Sequence, residues 1–214
     1  KAWHFDGDGE KSGIYKSEDG GTSWKLVTTK ECGFPANEGV GRIGLAMFNE
    51  NVIFAVFDNQ NKRPNSKVDK PKDANEALFQ TEVIGCELYK SEDGGKSWKR
   101  THEKYIDDMF YTYGYYFANI SVDEKNQNRL YIGGVPLLFS EDGGKTFTAI
   151  SKENVHADHH VTWINPENPN HIINGNDGGV NISYDNGAHW IKCNNEALGQ
   201  LYAVNVDYQE NYNV

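Results

Sequence analysis

One eight-residue pattern occurs four times in this chain of 214 residues: SEDGGTSW at 17–24, SEDGGKSW at 91–98, SEDGGKTF at 140–147 and SYDNGAHW at 183–190. All four read S-x-D-x-G-x-x-[W/F]. A unit recurring at this scale restricts the fold to architectures built by repetition, where neighbouring units bury each other's apolar faces. The residue types supply a mechanism. Ser17, Ser91, Ser140 and Ser183, with Asp19, Asp93, Asp142 and Asp185, can hydrogen-bond nearby backbone N–H groups and hold a tight turn. Gly21, Gly95, Gly144 and Gly187 fall where the turn needs a positive φ. Trp24, Trp98, Phe147 and Trp190 then plug the turn onto the strands it joins. Strand-like segments flank every copy, such as GIYKS before the first and SWKLV within and after it, so each copy reads as a hairpin turn.

The four octapeptides resemble the Asp-box, or BNR repeat. Proteins that carry it are β-propellers: sialidases, xyloglucan-hydrolysing glycosidases and sortilin-type receptor domains. The run at 156–190 is most similar to bacterial secreted proteins described as sortilin-like or glycosyl-hydrolase-like. The resemblance implies an all-β propeller of four-stranded blades and a secreted, periplasmic or cell-surface location. It also implies that the residues of the octapeptides are structural.

Spacing fixes the blades. The octapeptide serines lie 74, 49 and 43 residues apart. The sequence predicts a partial blade over 1–30, blades over 39–103, 115–151 and 156–193, and the start of another over 200–214. The fold expected is therefore about three full blades with partial blades at both ends, a fragment of a larger propeller. The long first interval holds a polar insertion over 58–85, expected as a loop or as a flap with a short helix at 73–80. The apolar runs GRIGLAMF and NVIFAVF read as inner strands covered on both faces. The first residues already read as strand, so the natural N-terminus is expected upstream.

Composition narrows the partners. A formal charge of −10 argues against a nucleic-acid phosphate backbone. No apolar run approaches 18 residues, so no membrane-spanning helix is predicted. Cys32, Cys86 and Cys193 show no C-x-x-C spacing and read as small buried side chains, with a disulfide left open. The acidic turn at 6–9 lacks the later ligands of a calcium loop. No cofactor is expected, and no nucleophile elbow, phosphate loop or dinucleotide fingerprint is present.

The meander sorts residues between two faces. Connections other than the octapeptides and the first hairpin turns lie on the opposite rim. That rim receives Asp8, Arg42, Asp58, Asp108, the tyrosine-rich stretch with Tyr113, Tyr115 and Tyr116, the HADHH run and the NGNDGG turn. Candidate ligand-binding residues are His156, His159, His160, Asn176, Arg42, Asp108, Tyr113 and Tyr115. His156, Asp158 and His160 alternate, which in extended chain points them one way and suits a divalent metal. The competing reading is that these groups only satisfy loop backbone.

The resemblance adds a glycosidase reading. Asp177, in N-D-G-G, is similar to the Thr-Asp-x-Gly-Gly segment around a catalytic Asp of xyloglucan-hydrolysing propellers. Asp158 or Asp108 would be its partner, although in that family the paired acid lies on a distant blade. Glycosidic hydrolysis needs such a pair of carboxyl groups. A sialidase would need an arginine triad, and of Arg42, Arg63, Arg100 and Arg129 only Arg42 is well placed. The partner expected is thus a carbohydrate bound on the rim, with its cleavage as the glycosidase reading. The alternative is a non-catalytic propeller that binds peptide or protein.

Overall fold

The structure is a computed structural model, and it describes residues 7–36, 38–65, 82–111, 113–152 and 154–193. These residues form strands and turns. Strands β1 (Tyr15–Lys16) and β2 (Lys25–Leu26) make a two-stranded hairpin. Three antiparallel meanders of four strands follow. The first contains β3 (Val40–Met47), β4 (Ile53–Lys62), β5 (Val83–Ser91) and β6 (Lys99–Arg100). The second contains β7 (Asn119–Asp123), β8 (Asn126–Gly133), β9 (Leu137–Ser140) and β10 (Thr148–Ala149). The third contains β11 (His159–Ile164), β12 (Ile172–Asn176), β13 (Gly179–Ser183) and β14 (Ile191–Lys192). The first strands meet in succession, β3 against β7 and β7 against β11. This is the geometry of a propeller arc, with the first strand of each sheet innermost.

Apolar layers between successive sheets hold the arc together. Strand side chains alternate faces, so β4 serves two layers. Phe54 and Val56 pack with Leu88, Leu130 and Ile132 on one side. Ala55 and Phe57 pack with Ile14, Phe34, Val40 and Trp98 on the other. A third layer joins Tyr131, Leu137 and Phe139 of the second meander to Ile172 and Trp190 of the third. At the inner edge the sheets approach to backbone contact. A Cβ on Gly44 would collide with the Ala118 carbonyl, and Ala118 itself has φ 117°. Polar side chains stitch the same seam: Asn119 Nδ2 donates to the His159 carbonyl at 3.0 Å and Ser121 Oγ to that of Thr162 at 2.6 Å.

Each octapeptide links the last two strands of its sheet by one bonding scheme. The serine Oγ accepts from the glycine N–H four residues on, at 2.8 to 2.9 Å. It also donates to the aspartate Oδ1. That carboxylate takes the backbone N–H of Ser23, Ser97, Thr146 or His189, and its other oxygen takes their side chains at 2.6 Å. The glycines sit at φ 84–91°. The preceding position is also left-handed and holds Gly20, Gly94, Gly143 or Asn186, residue types that tolerate it. The aromatic seats on the preceding unit: Trp98 is 3% exposed and Trp190 7%, whereas Trp24, which has no described layer before it, is 62% exposed.

Three expectations change. The polar segment 58–85 is strand at both ends, because β4 runs to Lys62 and β5 starts at Val83, pairing Asn59 with Gly85 and Lys62 with Val83. The helix expected at 73–80 and the blade start expected over 200–214 lie outside the described residues. Strand β3 is not covered on both faces, since Leu45 and Met47 stand exposed. Cys32 and Cys86 are buried thiols, and Cys193 is a partly exposed one.

Ser91 is nearly inaccessible and its Oγ receives a buried N–H, so Ser91→Ala leaves that donor unpaired. The expected cost is about 1–3 kcal/mol, read from denaturant unfolding. Hydrogen bonds from Ser23 and Ser97 hold Asp19 and Asp93 down at about 2, and those from His189 do the same for Asp185. A carboxylate with a depressed folded-state value stabilises the fold above its unfolded value near 3.8, and the contribution vanishes as pH falls through about 2. An acid titration followed by circular dichroism is expected to lose structure across that window, less steeply in Asp93→Asn.

Candidate functional site

On the rim away from the octapeptides, a pocket of about 510 Å³ opens between the second and third meanders. Tyr111, Tyr113, Tyr115, Tyr116 and Phe117 line it from the loop that leads into β7. Val135 comes from the β8–β9 turn, Asp158 from the approach to β11, and Asp177 from the β12–β13 turn. The tyrosine loop is anchored from below. Met109 and Phe110 are buried in the apolar layer, and Val135 N donates to the Met109 carbonyl at 2.9 Å. Tight turns follow, with Tyr113 N donating to Phe110 O and Tyr116 N to Tyr113 O. Such turns throw successive rings outward. Asp108 and Tyr111 take φ of 57° and 49°. Non-glycine residues held in that region concentrate at binding sites.

Gly114, in the middle of the loop, lies flat on the carboxylate of Asp58, and any Cβ there would strike it. Asp58 is fully buried. Gln60 Nε2 donates to its Oδ2, while Oδ1 has no hydrogen-bond partner among the described residues. Burial pushes this carboxyl up to about 6, with Gln60 opposing and Asp8 adding to the rise.

The acidic wall is built by the third meander. Asp158 stands at φ 66°, with its N–H on the Val135 carbonyl at 3.1 Å. Burial, then the charge of Asp177, raises its carboxyl above the usual range, against the pull of His156 and His160. His160 Nε2 meets Asp177 Oδ1 at 2.6 Å. The His160 ring stands edge-on to Tyr116, with centroids 5.5 Å apart. His160 thus ties the acidic wall to the aromatic one.

Other predicted site residues are placed differently. His159 is fully buried and points into the sheet, its Nδ1 2.7 Å from Asn174 Oδ1. The Asn174 amide is already donating to Val161 O and Thr162 Oγ1, so its oxygen accepts and His159 Nδ1 carries the proton. Burial lowers the His159 value and keeps it neutral. Asn176 is consumed as well. Its amide donates to Asn174 and Asn181, and its oxygen accepts from Gly178 N. Both belong to a buried polar ladder instead of a ligand site. The chain is not extended at Asp158, so the expected alternation of His156, Asp158 and His160 fails. His156 Nδ1 donates to the Ala157 carbonyl at 2.9 Å, and among the described residues no three His, Cys, Asp or Glu side chains gather to hold a metal. Arg42 is exposed on β3 and does not line the pocket. Asp108 does not line it either, but its charge adds to burial in raising the Tyr111 phenol.

No family model and no curated protein sequence matches this chain. Solved structures do. A GH74 enzyme from Niastella koreensis superposes with a TM-score of 0.58 at 16% identity, over 87% of this chain and 28% of its own. The GH74 xyloglucanase from Xanthomonas campestris gives 0.58 at 10% identity, over 88% and 28%. An ancestral GH74 enzyme gives 0.51 at 18%, over 85% and 21%. At these identities the likeness is one of fold: the chain is a β-propeller arc. It spans less than a third of the length of each of these proteins.

Asp58 generates a test of how the tyrosine loop is supported. A carboxyl raised in the folded state weakens the fold when ionised. The fold therefore gains stability as pH falls from about 6 toward the unfolded value near 3.8. The difference in denaturation midpoint between wild type and Asp58→Asn is expected to move in favour of wild type as pH drops through that window. A difference independent of pH would place the carboxyl in solvent.

Proposed function

We propose that the tyrosine–carboxylate pocket binds a segment of polysaccharide and that its two aspartates hydrolyse a glycosidic bond. The observation that carries this reading is the meeting of four tyrosines with Asp158 and Asp177 in one pocket. Aromatic faces stack on the apolar faces of sugar rings. Two carboxyl groups in different environments divide the chemistry. Asp158 is raised by burial and by the neighbouring charge, which suits the acid that protonates the departing glycosidic oxygen. Asp177, held on His160, is the partner that assists attack at the anomeric carbon. His160 orients that carboxylate and limits its rotation.

The fold shared with GH74 enzymes supports the reading at the level of scaffold. The chemistry rests on the pocket. Action on an external polysaccharide fits a secreted, periplasmic or surface location. Among the described residues no helix is long and apolar enough to cross a membrane.

Release of reducing ends from a panel of plant and microbial polysaccharides tests the assignment. Asp158→Asn and Asp177→Asn are each expected to lower turnover at least about 100-fold, with circular dichroism unchanged. Rates equal to wild type in both variants would remove the two aspartates from catalysis. Peptide binding at the rim without turnover or binding of any glycan would favour a non-catalytic receptor-like propeller.

A further inference from the structure

The walls of the pocket are more selective than a general sugar site requires. Among the described residues that line it, five are aromatic, one is valine and two are aspartates; none is lysine or arginine. Three of the tyrosines, Tyr113, Tyr115 and Tyr116, stand 37–53% exposed, so their rings are open to a ligand. An acidic sugar entering here would face two carboxylates with no lysine or arginine among the described lining residues to offset them. The hydroxyls of a neutral sugar can donate to those carboxylates but leave their charge unbalanced, and a buried charge is costly unless it is paired. A cation gains twice, from the negative faces of the rings and from the carboxylates.

The state of the two acids points the same way. Asp177 shares one oxygen with His160. The carboxyl of Asp158 feels burial and neighbouring charges, but no hydrogen bond among the described residues holds it. Its acceptors are available, and its repulsion with Asp177 is relieved by any positive charge placed between them. We propose that the pocket takes an organic cation, specifically an amine-bearing saccharide unit, held over the tyrosine rings and paired with Asp158 and Asp177. This rests on the saccharide-binding part of the reading above and narrows it from sugars in general to those carrying a free amine; Asp158 is ionised while it holds the amine, and its acid role belongs to complexes in which no amine is paired with it.

Calorimetric titration of the chain with a glucosamine tetramer and with its N-acetylated counterpart tests the inference, at a pH where the free amine is charged. The two ligands share ring geometry and differ in charge. The glucosamine tetramer is expected to bind about tenfold more tightly. Asp158→Asn is expected to erase that preference while leaving residual binding to both. Asn tolerates the left-handed backbone of this position, so the variant keeps the fold. Tyr113→Ala is expected to weaken the glucosamine tetramer more than the acetylated one. Equal affinities in wild type would overturn charge selection and leave a saccharide site standing. Binding of a lysine tetrapeptide but of neither oligomer would overturn both readings, as would failure of both oligomers to bind at all.

Discussion

A serine hydroxyl that accepts from the glycine N–H four residues on, and donates to an aspartate that in turn closes the rest of the turn, is the interaction on which this molecule rests. It occurs four times with nearly the same distances. Three or four backbone N–H groups in each copy are received by these two side chains, and unmet backbone donors are expensive once they lose water. By meeting them from side chains, the scheme lets a two-residue outer strand follow a longer one. In the three complete meanders that adds the fourth strand and leaves the sheet faces free for the apolar layers.

Most of the architecture was open to reading because its signals are local. The octapeptide needs only its own eight residues, and the positive φ at Gly21, Gly95, Gly144 and Gly187 follows from the turn they close. The order of strands follows from hairpin connections. The reading failed where burial depends on a neighbour in space. GRIGLAMF and NVIFAVF look alike, yet β4 lies between two layers while β3 shows Leu45 and Met47 to solvent. The strand extension to Lys62 was hidden by polar composition, since Asp58, Asn59 and Asn61 are paired by one another's side chains and by Glu87 and Gln60.

The site was legible in outline and less so in detail. Topology alone brought Tyr113, Tyr115, Asp158 and Asp177 to one rim, and they share one pocket. Side-chain direction was not accessible. HADHH offers three histidines, and a single left-handed residue, Asp158, decides which of them faces outward. A signal for the buried ladder was present in I-I-N-G-N: Asn174 and Asn176 fall on the same face as Ile172, which is fully buried. Polar residues at every second position of a covered strand face point to mutual hydrogen bonding, not to a ligand. Asp58 gave no such warning, because nothing in the sequence near it announces that Gly114 will lie across its carboxylate.

The aromatic end of the repeated turn differs from copy to copy in a way that matters for the whole arc. Trp24 and Trp98 donate their indole N–H to the glycine carbonyl of their own turn. Phe147 has nothing to donate, and the matching Gly144 carbonyl is satisfied instead by Thr101 from the sheet before, at 2.7 Å. Trp190 turns its N–H away to the Ile150 carbonyl, again on the preceding sheet. The first two turns thus keep the indole N–H within the turn, although the Trp98 backbone N–H reaches back to the Cys32 carbonyl, whereas the last two exchange a side-chain bond with the sheet before. The modules of this chain are therefore not interchangeable cassettes: the third turn placed after a sheet that lacks Thr101 would leave the Gly144 carbonyl without its donor, so the succession of sheets is written into their outer hairpins as well as into their apolar faces.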